Sequence, residues 1–262
     1  MKKNILHFRV VAIFLLSILL LTACQPTETA STETPEPAQT EEAIPPTQSA
    51  EPIAITQEIL LDPAKTEDPD SLLVAKYLYE GLVKLDENGQ VQPGIARSWI
   101  ISDDKLDYIF EIRPDAKFSD GSSITVNSIA ENFNRWFDPQ HPLHKDGNFP
   151  NWLNVFLAFN GERDAENRAI SQVDGVQAVD LNTFMIHLNR PEPELLQYLA
   201  QPAFAILNPT VLENSNYGTK DSLIVSSGAY QVSSWTDAGL TLSPNPNYWN
   251  VSETGEINFV WK

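Results

Sequence analysis

The chain has a single cysteine, Cys24, and it stands at the end of an apolar run. One thiol cannot close an internal disulfide, so whatever folds must do so on buried apolar surface alone. Disulfide scaffolds, cysteine-based zinc sites, Cys-x-x-Cys redox chemistry and cluster ligation by several thiols are all excluded. Ahead of Cys24, residues 10–21 are apolar except for Ser17, and Lys2, Lys3 and Arg9 flank them. The run is shorter than the ~20 apolar residues a spanning helix needs. Residues 1–23 therefore read as a targeting segment, outside any argument about the fold.

Leu21-Thr22-Ala23-Cys24 resembles the lipobox of bacterial lipoprotein precursors. The resemblance implies cleavage before Cys24, a diacylglyceryl group on its thiol, and an extracytoplasmic protein anchored to the cell membrane. Two or more acyl chains, at ~0.8 kcal/mol per buried methylene, hold a protein at a bilayer without a spanning segment. Residues 25–52 are a different material, with six Pro, six Thr and six Glu and no aromatic residue, Lys or Arg. Such a stretch buries too little apolar surface to offset its ordering entropy. Acylated Cys24 and a disordered tether thus make up residues 24–52, reaching at most roughly 85 Å if fully extended at ~3.1 Å per residue. The threonines also suit a glycosylated stalk.

Beyond the tether the pattern is mixed. Residues 53–56 suit a short strand, and Asp70 is placed to cap a helix running to about Tyr79. Asn88-Gly89 between 82–85 and 90–91 signals a hairpin. Leu106, Tyr108, Phe110 and Ile112 alternate with Asp107, Ile109, Glu111 and Arg113 as in a two-sided strand, and Thr125 opens a helix with Val126, Ile129, Phe133 and Trp136 on one face. A second helix is expected from Trp152 to the Asn160-Gly161 stop, an antiparallel pair at 176–179 and 183–188, helices at 192–200 and 209–213, and strands at 229–235, 240–243 and 257–261. Helices and strands alternate without strict βαβ repetition, which predicts an α/β or α+β body.

The chain carries 35 Asp and Glu against 17 Lys and Arg, a net charge of −18. A phosphate-binding face needs the opposite balance, so nucleic acid is not a partner. No Gly-x-Ser-x-Gly, His-Glu-x-x-His, P-loop or Gly-x-Gly-x-x-Gly occurs, and no cofactor is implied. Asp138, His141 and His144 have ligand chemistry for zinc or nickel, but two prolines interrupt the segment, and a solvated loop is the reading adopted. Glu67-Asp68 and Asp103-Asp104 would serve acid–base hydrolysis if buried as a facing pair. Trp99, Trp136, Trp152, Trp235 and Trp249 would stack on a solute if exposed, but their spacing suits a core.

In order along the chain stand Leu61-Asp62-Pro63, Tyr79-Glu80-Gly81-Leu82-Val83, Pro93-Gly94-Ile95-Ala96-Arg97-Ser98-Trp99, Ala116-Lys117-Phe118-Ser119-Asp120-Gly121, Ser227-Gly228-Ala229-Tyr230 and Asn247-Tyr248-Trp249. Together they resemble the family 5 extracellular solute-binding proteins, the oligopeptide, dipeptide and nickel receptors of ABC importers. The resemblance implies an α/β, periplasmic-binding-protein-like fold of type II, the peptide-receptor type, with a mixed sheet and an inserted second lobe. It implies a non-catalytic receptor that encloses a peptide or similar small solute and hands it to an ABC permease. It places ligand contacts at Thr66, Glu67 and Asp68, near Leu143 (where some relatives carry a Tyr), and at Ser226, Ser227 and Gly228.

The expected layout is domain I in two pieces, 53–82 and 190–262, with domain II inserted at 83–189. Relatives are about twice as long, so the third domain is expected to be absent, through a truncated reading or a separately encoded C-terminal half. A clamp lacking one jaw leaves its charge pairs in water and weak. A secreted hydrolase using paired carboxylates, and a non-binding surface adhesin or assembly protein, are the alternatives.

Overall fold

The computed structural model describes residues 51–251 and 255–262. The targeting segment, Cys24 and all but the last two residues of the tether lie outside the described residues.

Strand β1 (Ile53–Ile55) leads through a single 3-10 turn at Pro63–Lys65 into helix α1 (Pro69–Leu78). The helix starts two residues earlier than an Asp70 cap would dictate. Pro69 supplies a fixed φ and has no N–H to leave unpaired, so the preceding Asp68 becomes the N-cap. Its Oδ2 accepts from the Ser71 N–H at 2.7 Å. Asp70 instead accepts from the Thr56 N–H at 2.8 Å and pairs with Lys262 at 3.2 Å. The helix buries Val74, Ala75 and Leu78.

A short hairpin follows, β2 (Val83–Leu85) with β3 (Val91–Pro93), turning through Gly89 at φ 75°. Strand β4 (Ala96–Ile101) pairs with β5 (Asp107–Ile112). β4 was not foreseen as a strand: a register shift between Ala96 and Ser98 breaks the two-residue alternation by which strands are recognised. β5 keeps that alternation, burying Tyr108, Phe110 and Ile112. Helix α2 (Val126–Phe137) opens with a reciprocal capping box between Thr125 and Ser128 and buries Ile129, Phe133 and Trp136, as its spacing predicts.

Helix α3 (Pro150–Phe156) stops short of Asn160 because Leu157 takes a left-handed φ of 71°. Strands β6 (Val173–Ala178) and β7 (Thr183–Leu188) form the expected antiparallel pair. Helix α4 (Leu195–Leu199) is shorter than expected, and α5 (Pro209–Leu212) is a single turn. The chain ends in β8 (Tyr230–Trp235), β9 (Gly239–Pro244) and β10 (Ile257–Trp261).

These strands make two four-stranded sheets and the hairpin. One sheet has the order β1-β10-β9-β8, with β1 parallel to β10 and the other pairs antiparallel. The other has the order β4-β5-β7-β6, antiparallel throughout. Strands far apart in sequence, β1 and β10, thus close the first sheet around everything between them. One hydrophobic cluster runs through both layers. Within it Phe204 packs on Trp136 of α2 at 5.7 Å and on Phe156 of α3 at 5.5 Å. Trp136 and Trp152 are buried, as their spacing suggests, whereas Trp99, Trp235 and Trp249 are half-buried.

Candidate functional site

Two places on the molecule concentrate buried charge, one just before α1 in the chain and one just after it.

At the N-terminal end, Asp62 leads into the 3-10 turn, and Arg135 reaches it from α2 with bonds of 2.6 Å to Oδ1 and 3.2 Å to Oδ2. Both side chains are almost wholly buried, at 2% and 5% exposure. A charge removed from water must be paired and hydrogen-bonded, and the forked guanidinium does both for the carboxylate. Alongside, the Tyr79 hydroxyl donates to the Leu61 carbonyl at 3.0 Å and shares a 2.8 Å bond with the Tyr217 hydroxyl. Burial pushes both phenols well above their ordinary range, so they remain neutral.

This pairing fixes the loop that follows. Asn151 of α3 donates to the Thr66 carbonyl at 2.8 Å, and Asn154 to the Glu67 carboxylate at 2.9 Å. Lys65 pairs with Asp146 at 2.6 Å, and its hydrogen bond holds the Asp146 carboxyl below the usual range. Lys145 Nζ donates to the carbonyls of Leu212 and Asn214 at 2.6 and 2.9 Å, and desolvation lowers its pKa. The loop therefore stands against residues 145–154. Glu67 is exposed, Thr66 and Asp68 are half-buried, and Asp68 is occupied in capping α1. Leu143 lies in the 3-10 turn Pro142–His144 and packs partly against the core.

At the C-terminal end of α1 the other expected residues gather. The Ser227 and Gly228 N–H groups both donate to the Leu78 carbonyl, at 3.1 and 2.8 Å. Ser227 Oγ accepts from the Glu80 N–H at 3.1 Å. Ser226 is fully buried, and its N–H donates to Ser119 Oγ at 2.9 Å. Gly228 is sterically required, since a Cβ there would meet the Leu78 backbone at 2.9 Å. Thr66 and Glu67 are thus tied to α3, and Ser227 and Gly228 lock the far end of α1, while Leu143 and Ser226 have their partners elsewhere.

Beside that lock opens a cleft of about 700 Å³, bordered by the end of α1, the β2–β3 hairpin and residues 200–205 and 228–230. Glu80 lies in its lining and is 6% exposed. Its carboxylate accepts from the Tyr248 hydroxyl and the Trp249 indole N–H, both at 2.7 Å, and Lys84 Nζ stands 3.4 Å away. Arg113 stacks on Trp249 at 3.6 Å from the ring centre. Burial raises the Glu80 pKa, opposed by Tyr248, Trp249 and Lys84. The sequence reading passed over Glu80 as part of a landmark. A carboxylate among apolar residues just after a helix was the available signal.

His141 pairs with Glu131 at 3.0 Å, and His144 Nδ1 meets the Arg135 carbonyl at 2.8 Å, so the two imidazoles of the metal-like segment serve different partners. Among the described residues no three His, Cys, Asp or Glu side chains converge as a metal site would require. Asp103 and Asp104 lie exposed in the β4–β5 turn. The buried acids Asp62 and Glu80 precede and follow α1 in the chain, and Asp62 does not line the cleft. No helix among the described residues is long and apolar enough to cross a membrane.

The two-sheet arrangement is that of solute receptors with known structures. Haemophilus influenzae OppA in complex with the peptide RPPGFSPFR matches at a TM-score of 0.63 and 27% identity, over 79% of this chain and 40% of that one. The family model for bacterial extracellular solute-binding proteins, family 5 Middle, matches residues 90–260. The chain belongs to that family. The periplasmic murein peptide-binding protein MppA of Escherichia coli is 29% identical over 198 residues, 74% of this chain and 35% of MppA. The periplasmic oligopeptide-binding protein OppA of Salmonella typhimurium is also 29% identical over 198 residues, with the same coverage. The chain spans about a third of the length of these curated relatives.

Proposed function

We propose that this chain is a lipid-anchored, extracytoplasmic receptor, or the N-terminal part of one, that captures peptides or similar small solutes for an ABC importer. The observation that carries the reading is membership of family 5 together with likeness to peptide receptors over three-quarters of the chain. Cys24 is the acylation site and residues 24–52 the tether that holds the body off the membrane.

Domain I comprises 53–82 and 190–262, and domain II is the insert at 83–189. In favour of that division, the first sheet draws its strands from 53–55 and 230–261 and the second from 96–112 and 173–188. The solute lies along the wall of Thr66, Glu67 and Asp68, near Leu143, with Ser226, Ser227 and Gly228 setting the opposite end of α1. Binding favours a closed arrangement that the permease recognises. The remaining jaw is supplied by further sequence or by a separately encoded half. No catalytic step is part of this mechanism.

Titration calorimetry with RPPGFSPFR and with trialanine tests the reading, on the chain alone and mixed with any separately encoded half. Heat of binding is expected, reduced in Glu67→Gln. No heat with either peptide in the completed assembly overturns the peptide assignment.

A further inference from the structure

Of the residues assigned to the imported solute only Gly228 lines the cleft at the C-terminal end of α1, and the chemistry of that cleft is specific. Its volume of about 700 Å³ falls within the range of small-molecule sites. Tyr77, Tyr230 and Tyr248 contribute ring surface to it, and Glu80 contributes a carboxylate that is over nine-tenths buried. Two neutral donors, the Tyr248 hydroxyl and the Trp249 indole, hold that carboxylate. The cation that faces it is held loosely. Lys84 stands 3.4 Å from Oε1, outside strong hydrogen-bond range, with its side chain 41% exposed. The same ammonium sits 5.2 Å above the Trp249 ring. Lys84 thus occupies a cation position between the buried acid and the Trp249 ring, a ring on which Arg113 also stacks at 3.6 Å. Burial raises the Glu80 pKa, and Tyr248, Trp249 and Lys84 oppose that rise. Asp86 and Glu87 line the same cleft, offset by Lys76, and the chain's net charge of −18 favours cations over anions.

We propose that this cleft binds a small primary amine with an apolar body, its ammonium taking the place of Lys84 against Glu80 and its body lying on the tyrosine rings. The cation–π face and the charge-assisted bond act on the same group. Nothing in this assignment requires that the wall at the other end of α1 bind peptide.

The probe is tyramine, with N-acetyltyramine as its uncharged analogue, titrated while tryptophan fluorescence is followed. Tyramine is expected to bind, and N-acetyltyramine at least about tenfold more weakly, which is the worth of one charge-assisted bond. Lys84→Met removes the competing ammonium from a half-exposed position and is expected to tighten tyramine binding about tenfold. Glu80→Gln is expected to weaken it by a similar factor, checked against its circular dichroism because the substitution falls in a buried network. Should Glu80→Gln fail to fold, Lys84→Met still decides. Equal affinity for the two probes, no tightening in Lys84→Met, or no tyramine binding at about 10 mM overturns the proposal.

Discussion

The chain buries one carboxylate before α1 and another after it, and satisfies the two differently. At the N-terminal end Asp62 meets a full opposite charge in two-pronged geometry from Arg135, with both groups out of water. Just after α1 Glu80 meets two neutral donors at 2.7 Å and a half-exposed lysine at 3.4 Å. The first arrangement suits structure. It ties α2 to the 3-10 turn and so fixes the loop carrying Thr66 and Glu67. The second leaves charge under-compensated beside an open cleft, a condition common at binding sites. A buried acid alone therefore does not identify function. The completeness of its charge partner separates the two cases.

The largest effect is expected where compensation is complete. Asp62→Asn strands the Arg135 guanidinium in the core and should cost about 3–5 kcal/mol in urea denaturation. Arg135 Nε already has no hydrogen-bond partner among the described residues, so its only strong compensation is Asp62. Replacing both, Asp62→Leu with Arg135→Met, should cost much less, because no bare charge remains. A double variant as unstable as the single one would break the contrast between the two ends.

Glu80→Gln comes next, at about 1–3 kcal/mol, since the amide N–H₂ faces groups that already donate. Its pH dependence sharpens the comparison. The folded-state pKa of Glu80 is raised, so the native state holds this proton more tightly than the unfolded chain does. The stability contributed by protonated Glu80 is full at low pH and is lost as pH rises through the folded value. The wild type's margin over Glu80→Gln should therefore widen on acidification from about pH 8 to about pH 5. A margin that narrows would mean Glu80 is as well compensated as Asp62.

Much of the body was legible because local rules agreed. The Asn88-Gly89 turn, the two-residue alternation of β5, and the Thr125 cap with apolar residues along α2 each state their element without help from elsewhere. β4 was not legible, because its irregular register disrupts alternation. The candidate site divided in the same way. Thr66, Glu67 and Asp68 are expected as contacts only through the ordered landmarks of a family, and no local pattern marks them. Glu80 was missed because its meaning lies in Tyr248 and Trp249, which are 168 and 169 positions away. Contacts at such separation are a property of the closed sheet, in which β1 and β10 bring the two halves of the chain together.

The smallest effect tests whether the loop wall is held by its own helix or by the buried pair behind it. Asp68 was expected to contact solute, yet its carboxylate caps α1 through Ser71. Asp68→Ala should cost about 1 kcal/mol, the usual worth of an N-cap, while Asp68→Ser should recover most of it because a hydroxyl also accepts from that N–H. Thermal melts of the three proteins measure the ranking. Calorimetry with RPPGFSPFR on the same set adds the decisive comparison. If capping is the whole role, affinity in Asp68→Ser recovers along with stability. If the carboxylate also meets the solute, stability returns in Asp68→Ser and affinity does not, since serine restores the hydrogen bond without the charge.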